Sequence, residues 1–240
     1  MNEPRRAHSV YPIRVAVVYY SRSGAIELLA QSIAEGARDL PGVDVRMVRV
    51  SDWVNGEVLP DRAGGAVSQQ RTDMLNQLLV ADAIVVGSPG YFGSMAAAVK
   101  RLFEECVTAA PPAVDRTRQW RQCPFRNKVG GAFTATATPH GGNETALQSI
   151  LAMLMHLGMI VVTPGQTQPI LEGDAAPYGP TGITGPEGDW PLSAGALSSA
   201  RAFGRQIGET TSWIKLGQAR WPGRGRETVA RVQDSPPTPG

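Results

Sequence analysis

Cysteine and histidine are scarce in this chain. Two cysteines, Cys106 and Cys123, build no disulfide framework, and their spacing fits no metal motif. Three histidines stand apart from any cluster of acidic residues, so no protein-held metal is expected, and no Ser-His-Asp set is indicated. No apolar run is long enough to span a bilayer, and the N-terminus has no secretory apolar stretch. A reduced, cytoplasmic setting without membrane insertion is therefore expected. A large excess of one charge is also missing, the formal net charge being +2. Lys215, Arg220, Arg224, Arg226 and Arg231 outweigh Glu227 and Asp234 near the C-terminus, while the body of the chain stays close to neutral. Nothing resembles a recognition helix or an aromatic-basic platform, so no nucleic acid is expected as partner. Neither the Gly-Lys-Ser/Thr of a triphosphate loop nor three spaced glycines after a strand are present.

What is plentiful is apolar sequence in short blocks, 42% of 240 residues, with 27 glycines and 19 prolines crowded into a few loops. That suits one domain with insertions. The expected limits are a loose leader over 1–12, a domain over 13–214 and a disordered basic tail over 215–240. The blocks starting at Val15, Ala83, Val129 and Met159 read as strands buried on both faces, and 43–50 alternates as an outer strand. Between them, apolar residues recur at helical spacing, as in Ile26, Leu29, Ala30, Ile33 and Ala34. A short helix is expected over Thr72–Val80. Another should start near Met95, one should follow the loop that ends at Glu144 and run through Leu147, Ile150, Leu151 and Leu154 to His156, and the last should run from a Ser193 cap to about Trp213. Met159–Thr163 reads as the fifth strand. Five strands alternating with helices predict an α/β, doubly wound parallel sheet of order 2-1-3-4-5.

In such a sheet, ligands sit where the strand C-termini meet helix starts. Three loops of distinctive composition emerge there. After the first strand comes Ser21-Arg22-Ser23-Gly24, leading into Ala25 and Ile26. Unpaired N–H groups at a helix start hold a phosphate, and a glycine lets backbone approach it. The site has room for one phosphate, as a flavin mononucleotide offers; hydroxyls as ordinary helix caps are the alternative. The second loop is Pro89-Gly90-Tyr91-Phe92-Gly93, with two rings able to stack on a planar ligand or to pack inward. The third is Thr134-Ala135-Thr136-Ala137-Thr138-Pro139-His140-Gly141, whose hydroxyls, given where the loop emerges, are expected to donate to a ligand, with pairing to backbone as the alternative. His140 reads equally as a donor and as a solvent-facing side chain. His156, near a helix C-terminus, suits the helix dipole.

These stretches, with His156-Leu157-Gly158-Met159 and the later Tyr178-Gly179-Pro180-Thr181 and Gly185–Pro191 segments, resemble the WrbA family over residues 13–213. That family comprises flavodoxin-like, FMN-dependent NAD(P)H:quinone oxidoreductases. The resemblance implies FMN as cofactor, NADH or NADPH as co-substrate, a small-molecule quinone as acceptor and a homotetramer built as a dimer of dimers. It implies that Ser21 through Ile26 hold the phosphate and ribityl end and that Gly90, Tyr91 and Phe92 border the isoalloxazine ring. Ala135 through His140 would wrap the other polar edge, with His140 as a candidate catalytic proton donor. His156 would reach the flavin across a subunit contact. Two positions depart from the family: Ser23 stands where many members carry an aromatic residue, and Gly90 replaces a threonine.

A single-electron carrier of flavodoxin type is the competing reading. Such carriers dock through a strongly acidic face, which this near-neutral body lacks. The long loop over 164–191 suits assembly instead.

Overall fold

The computed structural model describes residues 12–50, 69–109, 123–166 and 176–220. The leader before residue 12, the connection 51–68, Trp120 with most of its 106–127 excursion, and the chain beyond Arg220 lie outside them. In order, the elements are β1 (Ile13–Tyr19), α1 (Ala25–Arg38), β2 (Val43–Arg49), α2 (Gln69–Val80), β3 (Ala83–Tyr91), β4 (Ser94–Met95) and α3 (Ala97–Ala109). They continue with β5 (Val129–Thr136), α4 (Asn143–His156), β6 (Ile160–Val161), β7 (Thr181–Ile183) and α5 (Ala194–Arg220).

The main sheet runs β2-β1-β3-β5-β6, the expected order, and every pairing along it is parallel. Period-two alternation assigns side chains to its two faces. Val15, Val17, Val85 and Phe133 pack with Ile26, Leu29 and Ile33 of α1 and Phe203 and Ile207 of α5. Ala16, Val18, Ile84 and Val86 pack with α2, α3 and α4 through Leu75, Leu78, Leu102, Leu147 and Ile150. With both faces covered, the inner strands carry no polar alternation, and all eight residues of β5 are buried.

Helices α1 and α5 approach closely because two glycines face the opposing backbone. A Cβ on Gly36 would stand 1.8 Å from the Arg201 carbonyl oxygen, and one on Gly204 would stand 1.9 Å from that of Ile33. Arg201 then reaches Asp39 at 3.1 Å and Glu35 at 3.3 Å across the same contact.

Three features differ from the sequence expectation. The fifth strand is divided: β6 retains Ile160 and Val161 and pairs with Val129 and Gly130 at the start of β5. β7, drawn from the long loop, pairs with Thr134–Thr136 at the end of β5. A fully buried central strand needs partners along its length, and the loop supplies those that β6 does not reach. β3 continues past Ser88 to Tyr91 because it folds back on β4, pairing Gly90 with Met95 and Tyr91 with Ser94. α5 extends past Trp213 to Arg220, and its Lys215 ammonium donates to Asp82 at 2.7 Å and to the Pro12 carbonyl at 2.5 Å.

Candidate functional site

Tyr19, which ends β1, is level with Gly87 of β3 and Phe133 of β5, so the three strands run out at the same edge of the sheet. A Cβ on Gly142 would come 3.1 Å from the Gly93 Cα, and one on Gly90 would meet the Thr136 methyl at 2.6 Å. Gly90 is thus complementary to Thr136, whose methyl group fills the space a larger residue at 90 would need. In the turn after β1, Ser21 is buried and its hydroxyl accepts the Gly24 N–H at 3.1 Å. Arg22 and Ser23 are exposed, whereas Ala25 and Ile26 point into the core and offer only backbone to this edge.

Both helices that start at this edge lack a side-chain cap. Gly24, at φ +97°, precedes α1, and Gly142, at φ +87°, precedes α4; neither glycine has a side chain to accept the N–H groups of the first turn. The first intrahelical bond of α1 runs from the Leu28 N–H to the Gly24 carbonyl, leaving the N–H groups of Ala25, Ile26 and Glu27 ahead of it. At α5, by contrast, Ser193 accepts the Ala196 N–H at 2.9 Å, as an ordinary cap does. A Cβ on Gly24 would meet nothing within 4 Å, so open space lies in front of the first turn. The side-chain oxygen of Asn143, first residue of α4, is buried without a hydrogen-bond partner, the one such atom found among the described residues. A buried acceptor left bare is costly, and it calls for a donor from a ligand.

The aromatic pair caps the hairpin between β3 and β4. Phe92 is fully exposed at φ +51°, followed by Gly93 at φ +74°. Two successive positive φ values are the mark of a primed hairpin turn, and a bulky residue held there stores strain. Tyr91 is partly exposed beside it. His140 is exposed in the β5–α4 loop. The threonines take the backbone-pairing option: Thr134 is wholly buried and its hydroxyl donates to the Ser88 carbonyl at 2.7 Å. The Thr136 hydroxyl donates to the Thr138 carbonyl at 2.9 Å, closing the loop on itself. The expected hydroxyl donors are therefore spent internally, leaving Thr138, exposed, as the loop's free-standing threonine. His156 is exposed at the far end of α4, about 20 Å from that helix's start and so apart from the three loops gathered there.

Sequence reasoning passed over a charged frame around the first turn. The Tyr19 hydroxyl donates to Glu27 at 3.0 Å, and Arg49 at the end of β2 reaches Glu27 at 3.4 Å and the Ser21 carbonyl at 3.3 Å. Burial, then the bond to Glu27 and its charge, push the Tyr19 hydroxyl up to about 12, with Arg49 opposing. Asn143 was visible as the polar residue after Gly141-Gly142, but nothing in the pattern marked it as unpartnered.

The profile of the family described as NADPH-dependent FMN reductase matches residues 13–168. The chain belongs to that family. A Bradyrhizobium diazoefficiens protein named NAD(P)H dehydrogenase (quinone) is 38% identical, covering 82% of this chain and 96% of its own length. One of the same name from Rhodopseudomonas palustris is also 38% identical, over 85% of this chain and 98% of its own. A WrbA-like flavodoxin structure from Agrobacterium tumefaciens superposes with TM-score 0.55 at 21% identity, over 84% of this chain and 99% of that one, which shows the flavodoxin-like fold. The residues here fit flavin mononucleotide, the group in the family's description. Open space and unpaired N–H groups at α1 suit its phosphate. The bare Asn143 oxygen requires a donor, and ribityl hydroxyls and the isoalloxazine N–H are donors whereas an ionised phosphate is not.

Proposed function

We propose that this chain is an FMN-dependent NAD(P)H:quinone oxidoreductase, acting in the cytoplasm as a homotetramer. The observation that carries the proposal is the pair of uncapped helix starts flanking a buried, unpartnered Asn143 oxygen. The names of relatives 38% identical supply the co-substrates. When bound, FMN supplies the capacity to accept a hydride and pass two electrons onward.

The chain's own residues bind and orient. Backbone N–H groups of Ala25, Ile26 and Glu27 face the phosphate, and Arg49 pins that turn from the β2 side. Gly90, Tyr91 and Phe92 border the ring on one side, with Ala135 through Gly141 wrapping its polar edge. Thr134 and Thr136 act through the backbone they hold in place. The exposed His140 imidazole would give a proton to a quinone oxygen as that oxygen is reduced to the quinol hydroxyl. His156, too distant in its own chain, serves a neighbour's site. Two free cysteines and no helix, among the described residues, able to cross a membrane agree with a cytoplasmic setting.

With one face of the ring covered by the hairpin, nicotinamide and quinone use the same opening in turn. Steady-state kinetics with NADH and benzoquinone should give parallel double-reciprocal lines. Intersecting lines would overturn the shared opening, and reduction by free NAD(P)H too slow to sustain turnover would favour the electron carrier instead.

A further inference from the structure

Next to the phosphate turn lies an open groove of about 380 Å³, between the first two turns of α1 and the loop that leads into α5. Ser23, Gly24, Leu28 and Gln31 line it on the helix side, and Asp189 and Trp190 on the loop side. The catalytic reading above uses neither loop residue. Trp190 is built in as a flat surface. A Cβ on Gly185 would stand 2.5 Å from three atoms of the indole ring, so the ring lies directly on that glycine's backbone. The Trp190 backbone N–H donates to the Thr184 carbonyl at 2.8 Å, and the Gly188 N–H closes the turn onto the Gly185 carbonyl at 3.1 Å. One side of the ring is thereby fixed against the protein, yet the residue keeps 57% of its surface exposed, and Leu28 opposite keeps 46%. Gly188 in turn abuts Ser23, where a Cβ would come within 3.0 Å of the serine Cβ, so the loop is seated on the phosphate turn itself.

The charges are of one sign. Glu27 lines the groove with its carboxylate already engaged by Tyr19 and Arg49, and Asp189 is exposed with no ion pair among the described residues. No lysine or arginine lines it. A rigid, exposed indole beside a free carboxylate and an amide is the chemistry that takes a nucleoside, by stacking on the base and accepting from the ribose diol. A carboxylate on that diol selects against a 2′-phosphate, which needs a cation instead.

We infer that this groove holds the adenosine end of the reduced nicotinamide dinucleotide and selects NADH over NADPH. The inference rests on the reductase reading for its co-substrate, and it runs against the NADPH of the family's description. Ser23, short and polar at the boundary between turn and groove, leaves the passage open from the phosphate turn to the indole.

The test compares kcat/KM for NADH and NADPH at saturating benzoquinone in FMN-loaded protein, with wild type, Trp190→Ala, Trp190→Phe and Asp189→Asn. Binding of 5′-AMP and of adenosine 2′,5′-bisphosphate is followed alongside by tryptophan fluorescence. Wild type should favour NADH about tenfold or more and bind 5′-AMP the more tightly. Trp190→Ala should raise the KM for NADH about tenfold with kcat within about twofold, and Trp190→Phe should restore most of it. Asp189→Asn should narrow the preference several-fold. Equal use of the two nucleotides would overturn the inference. So would an unchanged KM in Trp190→Ala accompanied by a change in particle mass, which would make the groove a contact between copies. Wild type that oxidises neither nucleotide would sink the reductase reading, and 5′-AMP quenching that is lost in Trp190→Phe and Trp190→Ala would still decide the groove.

Discussion

Arg49 and Glu27 show how much of this site is settled by single side chains outside the motifs. Glu27 sits in the first turn of α1, where a carboxylate steadies the helix dipole but repels a phosphate arriving at the same N–H groups. Arg49 offsets that charge while holding the Ser21 carbonyl. Arg49→Gln should therefore raise the FMN dissociation constant about tenfold and leave riboflavin, which lacks the phosphate, within about twofold. Fluorescence titration with both flavins reads this directly, and an equal loss for both would show that Arg49 only shapes the turn. Substitution of Gly24 is a poorer probe, because φ +97° strains any other residue there. Tyr19 offers a separate check through pH. Its hydroxyl ionises near 12 in the folded chain and near 10 when unfolded, so folding favours the protonated form. That stabilisation is complete below pH 10 and is lost as pH rises from about 10 to about 12. Thermal melts of Tyr19→Phe against wild type should differ in slope across that window and run parallel below it.

At the scale of elements, periodicity carried the reading. Buried apolar runs located the strands of the main sheet, and helical spacing located α1, α4 and the start of α5, down to the Ser193 cap. Less legible was whatever depends on a distant partner. Thr181-Gly182-Ile183 has no strand signature, and it becomes β7 because the end of β5 needs a ladder there. The Phe92-Gly93 turn was hidden because phenylalanine is no turn residue, and only pairing across Gly90–Met95 holds it at positive φ. Thr134 was read toward the ligand because a strand-end hydroxyl looks the same in sequence whether it faces a cavity or the Ser88 carbonyl. The seam between α1 and α5 is the element-level claim most open to attack. A side chain at Gly204 collides with backbone, not with a movable side chain, so Gly204→Val should cost about 3 kcal/mol or more. Denaturant melts measure it, and a loss under about 1 kcal/mol would mean that the two helices separate easily.

The whole molecule joins a conventional sheet to additions gathered at one edge. The long loop contributes β7, the seat of Trp190 and the lead into α5, while α5 returns to the opposite end and locks Pro12 and Asp82 through Lys215. His156 ends α4, at the other end of that helix from Gly142, and on the proposed function it serves a neighbour's site. Light scattering should accordingly report about four chains per particle with FMN bound, and a stable monomer would leave His156 without a role. On the proposed function, this edge holds a flavin that takes electrons from a nicotinamide and gives them to a quinone. That function is tested most directly by anaerobic titration of the FMN-loaded protein, followed by flavin absorbance. About one equivalent of NADH per chain should bleach the visible band, and about one equivalent of benzoquinone should restore it in full. A band that NADH does not bleach, or that quinone fails to restore, would contradict the account.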